Sequence, residues 1–159
     1  MNKIQHRKAK ATDINLYFEW LNDPEVREKS FDSNTIKWEE HYKWFNDNIN
    51  NPNYTFYIFN FNKENIGQVR IHKVKENESE IGISIGAHYR GLGYGSQMLI
   101  DACYDYFNNY NAIIINAYIK NNNISSKKIF QKAGFTWIKN LLYKNYNTDH
   151  FVLYADRKL

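Results

Sequence analysis

A glycine-rich segment contains the residues of this chain that are best suited to hold a phosphate. It reads Arg90-Gly91-Leu92-Gly93-Tyr94-Gly95-Ser96 and stands between an extended stretch and a helical pattern. Glycine lets the backbone approach a ligand closely, and the free amides at the start of a helix attract anions through the helix dipole. We therefore expect the main-chain amides of this segment to bind phosphate groups.

Two common phosphate-binding motifs are excluded by the spacing of these glycines. A P-loop requires a lysine directly after its last glycine, and none follows Gly95. The dinucleotide motif G-x-G-x-x-G, begun at Gly91, requires glycine at the position of Ser96. The pattern that remains is R-x-x-G-x-G, formed by Arg90, Gly93 and Gly95. A glycine turn that merely links a strand to a helix is the alternative.

The R-x-x-G-x-G pattern is one of three segments in which the chain resembles the GNAT N-acetyltransferases. The other two are the strand Glu80-Ile81-Gly82-Ile83-Ser84-Ile85 before it and an N-x-x-S-x-x-x-[YF]-x-x-x-G-F segment from Asn123 to Phe135 after it. This family holds the pyrophosphate of acyl-coenzyme A in the glycine loop. The resemblance therefore implies acetyl-CoA as the acyl donor and an acyl-CoA-binding core at about residues 80–135.

The resemblance also implies how the coenzyme is divided among these segments. The loop amides cradle the pyrophosphate, and the fourth strand pairs with the pantetheine amides, because the family separates the strands on either side. Asn123 and Ser126 bond the pantetheine arm or the adenosine phosphates, although Asn123 can also serve as a helix N-cap. The implied coenzyme-binding residues are Ile83, Ser84, Ile85, Arg90, Gly91, Leu92, Gly93, Tyr94, Gly95, Ser96, Asn123, Ser126 and Phe130.

Acyl transfer to an amine requires a base for the amine proton and a hydrogen-bond donor for the oxyanion. The resemblance implies that a backbone amide near Ile85 serves the oxyanion. It also implies that Glu80, at the start of the fourth strand, is the catalytic base. His72 on the neighbouring strand is a second candidate. A solvated Glu80 and a packed His72 are the alternatives without a catalytic role.

The general acid is the point at which the chain departs from the family pattern. Many members have Tyr where this chain has Phe130, and a phenyl ring cannot donate a proton. Tyr118 or Tyr143 could replace it, or a water could, or the thiolate could leave unassisted, since the pKa of a thiol is near 8.5. We place Tyr118 beside Glu80 and His72 as a candidate catalytic residue.

Two aromatic segments in the N-terminal third, at about residues 12–50, are expected to face the acceptor. They resemble the W-x-N-D-P-x-V-R and [WL]-E-E-H-x-K-[WF] segments of bacterial GNATs that acetylate nucleotide-linked deoxyamino sugars of the pseudaminic-acid type, although Leu21 stands where that group often has Arg. Aromatic faces can stack on a base or a sugar, and Arg27 or Lys43 could pair with a diphosphate. Core packing of the rings and a surface position of Arg27 are the alternatives. The implied acceptor-binding residues are Asn22, Arg27, Phe31, His41 and Trp44.

Three functions follow from these segments. The first is direct transfer, in a ternary complex, of an acetyl group from acetyl-CoA to the amine of a nucleotide-linked deoxyamino sugar. A related N-D-P-x-V-R segment occurs in GNATs that acetylate protein N-termini, ribosomal proteins included, so a protein or peptide amine is the second. Because Phe130 replaces Tyr, a non-catalytic module that binds coenzyme A as a ligand sensor is the third.

The elements that must position these residues follow one another in the order of a mixed α/β fold. This order predicts one α/β (α+β) domain over residues 1–159, with a mixed, mostly antiparallel sheet of six to seven strands flanked by helices. The resemblance adds that strands four and five splay apart. The predicted helices begin at Thr12-Asp13, Pro24, Trp38, after Gly95 and near Ser126, and the predicted strands are 4–9, 54–61, 66–74, 80–85, 112–119, 135–138 and 151–155.

Composition limits the remaining partners. No apolar run approaches the roughly 20 residues needed to cross a bilayer, so no membrane partner is expected. The net charge of +4 is scattered along the chain, which argues against nucleic acid, and a phosphorylated ligand explains the surplus equally well. The five histidines have no metal-binding spacing, so no metal is expected. The absence of an apolar leader and the single Cys103 favour the cytoplasm, and we expect a monomer or homodimer.

Overall fold

The computed structural model describes residues 3–155, which form a seven-stranded sheet with helices packed on both faces. Residues 1–2 and 156–159 of the predicted domain lie outside the described range. The strands are β1 (Gln5–Lys8), β2 (Tyr54–Phe61), β3 (Glu64–Lys75), β4 (Glu78–Ile85), β5 (Ile114–Lys120), β6 (Thr136–Tyr143) and β7 (Tyr146–Tyr154). The helices are α1 (Ile14–Leu21), α2 (Pro24–Lys29), α3 (Trp38–Asn48), α4 (Tyr94–Asn109) and α5 (Ile124–Lys132), with 3₁₀ turns at Ala11–Asp13 and Ala87–Tyr89.

The strands lie in the order β1-β2-β3-β4-β5-β7-β6, and every neighbouring pair is antiparallel except β4 and β5. β4 and β5 are parallel and pair only as far as Glu80 and Asn116, although they continue to Ile85 and Lys120. The sheet is therefore mixed and mostly antiparallel. It also splays between its fourth and fifth strands, which confirms the predicted fold class.

Alternation along the central strands gives the sheet two unlike faces. On one face, the isoleucines of β4 pack with buried residues of α4 in the larger hydrophobic cluster. The other face of β4 carries Glu80, Gly82 and Ser84, because successive side chains of a strand point to opposite sides. A second cluster, built by α1, α3 and the β2 residues Phe56 and Ile58, covers only part of this second face. The polar side of β4 lies beside it.

The two hairpins at β2–β3 and β6–β7 turn more tightly than the sequence predicts. Each turn has two residues with positive φ, Asn62 and Lys63 in the first and Lys144 and Asn145 in the second. Two-residue turns of this kind match the twist of the flanking strands. The predicted strands 135–138 and 151–155 are consequently too short. β6 is an edge strand with mostly exposed residues, so its sequence lacks the apolar alternation that marks a half-buried strand.

Asp13 directly precedes the first helix, as predicted, but its side chain does not cap that helix. The Asp13 carboxylate accepts hydrogen bonds from both terminal nitrogens of Arg7, at 2.7 and 2.9 Å, and from the backbone amide of Lys10 at 2.7 Å. It therefore does not cap α1, which starts at Ile14 after a 3₁₀ turn. Among residues 3–155, no helix has the length and apolar character needed to cross a membrane.

Candidate active site

A cleft of about 930 Å³ opens where β4 and β5 part. The glycine loop and α5 border one end of it, and α2 and α3 border the other. Residues of β4 lie between the two ends, so the predicted coenzyme-binding segments and the predicted acceptor side line one continuous space. The cleft can therefore hold an acyl donor and an acceptor side by side.

The glycine loop presents backbone rather than side chains to this cleft. Gly91 and Gly93 have φ of 73° and 87°, a left-handed conformation that residues with a Cβ rarely adopt. Gly93 is the N-cap residue of α4, and no side chain caps this helix. The first amides of a helix have no partner within the helix. The loop can therefore offer several amides and the positive helix end to an anion.

Gly95 serves packing rather than loop conformation. A Cβ at this position would lie 2.9 Å from Cδ1 of Ile129 and 3.0 Å from Cδ1 of Ile85. Glycine therefore lets α4 approach both α5 and the end of β4. The three glycines of the loop thus have two physical roles: Gly91 and Gly93 allow the left-handed backbone, and Gly95 allows close packing.

The side chain of Arg90 is fully engaged in hydrogen bonds and ion pairs with other residues of the protein. Its Nε donates to the backbone oxygen of Ile85 at 3.0 Å, and its terminal nitrogens contact Glu25 at 2.8 Å and Asp23 at 2.7 Å. Burial tends to raise the pKa of Asp23, but hydrogen bonds, first of all from Arg90, outweigh it and lower the pKa. The arginine therefore ties the end of β4 to α2, and only its backbone is left for the predicted coenzyme contact.

The exposed edge of β4 is the second backbone element of the site. Ile83, Ser84 and Ile85 line the cleft beyond the last pairing with β5. The Ser84 hydroxyl accepts a hydrogen bond from the Gln68 side chain at 3.0 Å, so this side chain is directed towards β3. The backbone of the three residues can accept an extended chain as an added strand.

The remaining predicted coenzyme residues divide between the cleft wall and the core. Asn123, Ser126 and Phe130 line the cleft. Asn123 also caps α5, because its side-chain oxygen accepts from the amide of Ser126 at 3.2 Å. Phe130 is buried and makes an edge contact with another ring of the core. Leu92 and Ser96 lie outside the cleft wall, Leu92 being 61% exposed and Ser96 buried.

Glu80 and Tyr118 face each other across the point where the strands part. Glu80 is half-buried and is the last β4 residue that pairs with β5. Tyr118 stacks between Tyr143 and His150, with ring centroids at 4.6 and 4.7 Å. Burial and the charge of Glu80 raise the pKa of both tyrosines, which keeps their hydroxyls protonated. The site thus combines a carboxylate with neutral phenols.

His72 does not line the cleft, although it pairs with Glu80 across β3 and β4. Its ring stacks on Tyr54 at 4.1 Å, and burial lowers its pKa. His72 is thus packed outside the cleft wall, whereas Glu80 lines it.

Some of the predicted acceptor residues line the cleft and others do not. Arg27, Phe31, His41 and Trp44 line the cleft. Asn22 does not, because its side-chain amide binds both backbone groups of one loop residue, Ile36, at 2.8 and 3.0 Å. Lys43 is also outside the wall and pairs with Asp47 at 2.6 Å.

Each of the four acceptor-side residues in the wall is held by its own contacts. Nε2 of His41 donates to a backbone oxygen of α1 at 2.9 Å, and burial lowers the pKa of this ring. Phe31 makes an edge contact with Tyr143 at 4.9 Å, which connects the segment after α2 to β6. Trp44 lies 5.4 Å below the guanidinium of Arg70. Arg27 is held by oxygens of the segment after α2.

The family comparison agrees with this geometry. A family model described as an acetyltransferase (GNAT) domain matches residues 4–136, which is most of the chain. The chain belongs to the GNAT acetyltransferase family. It thereby carries the domain of an N-acetyltransferase, and acetyl-CoA is the acyl donor of these enzymes.

A curated relative and two solved structures extend the comparison. An uncharacterized protein of Methanocaldococcus jannaschii is 26% identical over 136 residues, which cover 84% of this chain and 28% of that protein. The chain therefore spans little more than a quarter of this relative. A spermidine N-acetyltransferase from Vibrio cholerae, solved with CoA and spermine, has a TM-score of 0.87 at 15% identity and covers 97% of this chain and 96% of its own. Aminoglycoside acetyltransferase AAC(6')-Ib with coenzyme A has a TM-score of 0.83 at 17% identity, with the same coverages. At these low sequence identities, the likeness to the two solved structures establishes the fold.

Two cationic residues of this GNAT cleft were missed by the sequence analysis. Arg70 of β3 and Lys120 of β5 both line the wall. Lys120 donates to the backbone oxygen of Glu28 at 3.0 Å and lies over the ring of Tyr146. Polar residues at alternate positions of otherwise apolar strands were the available signal. Within residues 3–155, no group of three or more His, Cys, Asp or Glu side chains is arranged to hold a metal ion.

Proposed function

We propose that this GNAT domain transfers the acetyl group of acetyl-CoA directly to the amine of a small molecule, a nucleotide-linked deoxyamino sugar. The observation that carries the proposal is the continuous cleft, which joins the backbone-lined loop, Glu80 and a cationic aromatic end in one space. Direct transfer requires both substrates to be bound at once, and one shared cleft meets this requirement.

The coenzyme end offers backbone groups suited to the two parts of the donor. The uncapped start of α4 would hold the pyrophosphate. The free edge of β4 would pair with the amides of the pantetheine arm, in the manner of an added strand. The thioester would then lie near the end of β4, beside Glu80 and Tyr118.

In the proposed acetyl transfer, one bond forms as another breaks, and each transferred proton has a donor and an acceptor. The amine nitrogen forms a bond to the thioester carbonyl carbon, and the carbon–sulfur bond breaks. Glu80 accepts the proton that the amine must lose, and a backbone amide near Ile85 donates to the oxyanion. Tyr118 supplies a proton to the departing sulfur, because its raised pKa keeps the phenol neutral. A proton returned from solvent to Tyr118 and one lost from Glu80 complete the cycle.

The acceptor end supports a ring-shaped partner with acidic groups. The rings of Phe31, Trp44 and Tyr143 line it, and such faces stack on sugars or bases. The two solved neighbours are named for spermidine and aminoglycosides, which are amine-rich acceptors. The arginines of the present cleft would repel polycations of that kind, which favours an acidic acceptor.

The test is an acetylation assay on a panel of amines, read by coenzyme A release and by the mass of the product. We expect turnover with UDP- or dTDP-linked 4-amino-4,6-dideoxy sugars and little with spermidine or kanamycin. Turnover on peptide N-termini and none on such sugars would replace the sugar by a peptide acceptor. Tight acetyl-CoA binding with no turnover on any amine would contradict the enzymatic function and indicate a sensor.

A further inference from the structure

We propose that Arg70 and Arg27 together form an anion subsite that binds a phosphate or carboxylate group of the acceptor. This inference rests on the proposed function for the existence of an acceptor, and it adds the group by which the acceptor is held. It also makes Arg70 a specificity-determining residue.

The guanidinium of Arg70 lines the cleft and is not bound to a polar side chain. Within residues 3–155 it makes no side-chain hydrogen bond or ion pair. It lies over Trp44 and above Gly82, whose absent Cβ would be 3.5 Å from one terminal nitrogen of the arginine. Gly82 leaves the space beside the guanidinium free, and a Cβ there would be in van der Waals contact with it.

Arg27 approaches the same space from α2. Its terminal nitrogens donate to the backbone oxygens of Asp32 and Asn34 and to the hydroxyl of Ser30, at 3.0 to 3.3 Å. Its Nε is buried and has no partner among the described residues. These contacts hold the guanidinium in place with neutral groups and leave its charge without a carboxylate ion pair. Buried hydrogen-bond donors in proteins nearly always have a partner, so this free donor is suited to a bound ligand.

The two guanidinium groups belong to residues that line the same cleft. Burial lowers the pKa of Arg27, Asp32 opposes this, and the charge of Arg70 lowers the pKa further. Burial also lowers the pKa of Arg70, against the influence of Tyr17, Tyr54 and Glu80. Arginine stays protonated despite such shifts. Two like charges in one half-buried space are unfavourable, and an anion between them would remove the repulsion.

The acidic residues of the cleft do not neutralise this pair. Glu25 is bound to Lys29 and Arg90, and one carboxylate oxygen of Asp32 accepts from the backbone and side chain of Asn34. Glu40 is exposed at the rim on α3. Glu80 lies on the same face of the sheet as Arg70 but forms no ion pair with it within residues 3–155, and the proposed chemistry assigns its carboxylate to the amine. A planar guanidinium binds phosphate or carboxylate through paired hydrogen bonds, which makes these two groups the expected partners.

The subsite also affects the amine that reacts. Arg70 and Glu80 lie on neighbouring strands and on the same face of the sheet, one pleat apart, because Arg70 pairs with Gly82 and His72 with Glu80. An acceptor anion held at Arg70 would therefore place its amine within reach of Glu80. The positive charge nearby would also disfavour an ammonium and so assist its loss of a proton.

The experiment measures anion binding rather than turnover, so that it is independent of the proposed reaction. The protein is first saturated with coenzyme A, which occupies the phosphate loop. UDP, glucuronate and uridine are then titrated calorimetrically as phosphate, carboxylate and uncharged probes. The variants are Arg70→Met, which keeps the packing on Trp44, and Arg70→Lys, which keeps the charge. Lys43→Met removes a cation outside the cleft and is the control.

We expect UDP to bind more tightly than uridine and to lose about 10- to 100-fold in affinity in Arg70→Met. Arg70→Lys should lie between, whereas Lys43→Met and the affinity of every variant for coenzyme A should be unchanged. Binding of glucuronate in place of UDP would support the subsite and assign it to a carboxylate. Equal UDP affinity in Arg70→Met and wild type, or no binding of either anion at millimolar concentration, would overturn the inference. UDP binding without acetylation of nucleotide sugars would instead contradict the proposed function alone.

Discussion

The two ends of the cleft are built from different parts of the chain. At the coenzyme end, the proposed binding groups are mainly backbone groups of the glycine loop and of β4, with Asn123, Ser126 and Phe130 beside them in the wall. At the acceptor end, the wall is made of side chains from α2 and the loop after it, α3, β3 and β5; these are Arg27, Phe31, Trp44, Arg70 and Tyr118. Backbone groups are the same whatever the residue, so substitutions change the coenzyme end little. A single substitution can change the side chains of the acceptor end.

This difference explains why a short sequence motif predicts the coenzyme end of the cleft but not the acceptor end. A backbone site requires left-handed residues, an uncapped helix start and a strand edge, and glycines at fixed spacing mark such a conformation. A side-chain site depends on register and on which elements meet in space. Four experiments test whether the two ends, which are built separately, also function separately.

Glu80→Gln should have the largest effect on catalysis. The amide keeps the size of the carboxylate but cannot accept the amine proton, so kcat should fall by about 100- to 10,000-fold. The KM for acetyl-CoA should be unchanged, since the donor is held by backbone. Glu78→Gln, on the same strand but outside the cleft wall, is the matched control and should retain activity. Near-normal kcat in Glu80→Gln would transfer the base role to another group.

Gly93→Val should affect the coenzyme end alone. Gly93 has φ of 87°, and a β-branched residue there costs about 1–3 kcal/mol of backbone strain. We expect a loss of about 10- to 100-fold in coenzyme A affinity, measured by calorimetry, with the fold retained. Gly82→Ala is the comparison at the acceptor end. It should leave coenzyme affinity intact and raise the acceptor KM, because its Cβ would contact Arg70. Unchanged coenzyme binding in Gly93→Val would contradict the assignment of the loop.

Tyr118→Phe should have a smaller effect, because a thiolate leaves fairly well without a proton. We expect kcat to fall about tenfold. In the wild type, kcat should decline on the alkaline side only above the ordinary tyrosine pKa of about 10, since burial and Glu80 raise the pKa of Tyr118. This alkaline decline should be absent in Tyr118→Phe. If Tyr143→Phe removes it instead, the neighbouring phenol is the acid.

Most of the fold, and the position of the glycine loop at the start of α4, could be predicted from the sequence, for a physical reason that particular residues illustrate. The clean alternation at Glu80 to Ile85 and the glycines of residues 90–96 depend on local geometry, which sequence spacing records directly. Arg70 escaped notice because the role proposed for it depends on sharing the cleft with Arg27, on an element far away in the chain. Asn22 and Lys43 were included because their motif resembles a family segment, and only the structure shows their bonds to Ile36 and Asp47.

Asp23→Asn should have the smallest effect, and it tests a direct link between the two ends, the ion pair of Asp23 with Arg90. Asn preserves the cap of α2 but weakens the contact with Arg90, which holds the loop side. We expect a loss of about 0.5–1 kcal/mol of stability, or about 2 °C in Tm, that shrinks at high salt. The folded pKa of Asp23 is lowered, so this contribution is present above the unfolded value of about 3.9 and is lost as pH falls through the folded value.

The Asp23→Asn variant also decides whether the ends are coupled. Arg90 binds the end of β4 and α2 at once, so its release should raise the KM for acetyl-CoA and the KM for the acceptor together, each by about two- to fivefold. Asp47→Asn, which removes an exposed partner of Lys43, is the control and should change neither. A rise in only one of the two constants would show that Arg90 supports that end alone, and the two ends would then function as separately as they are built.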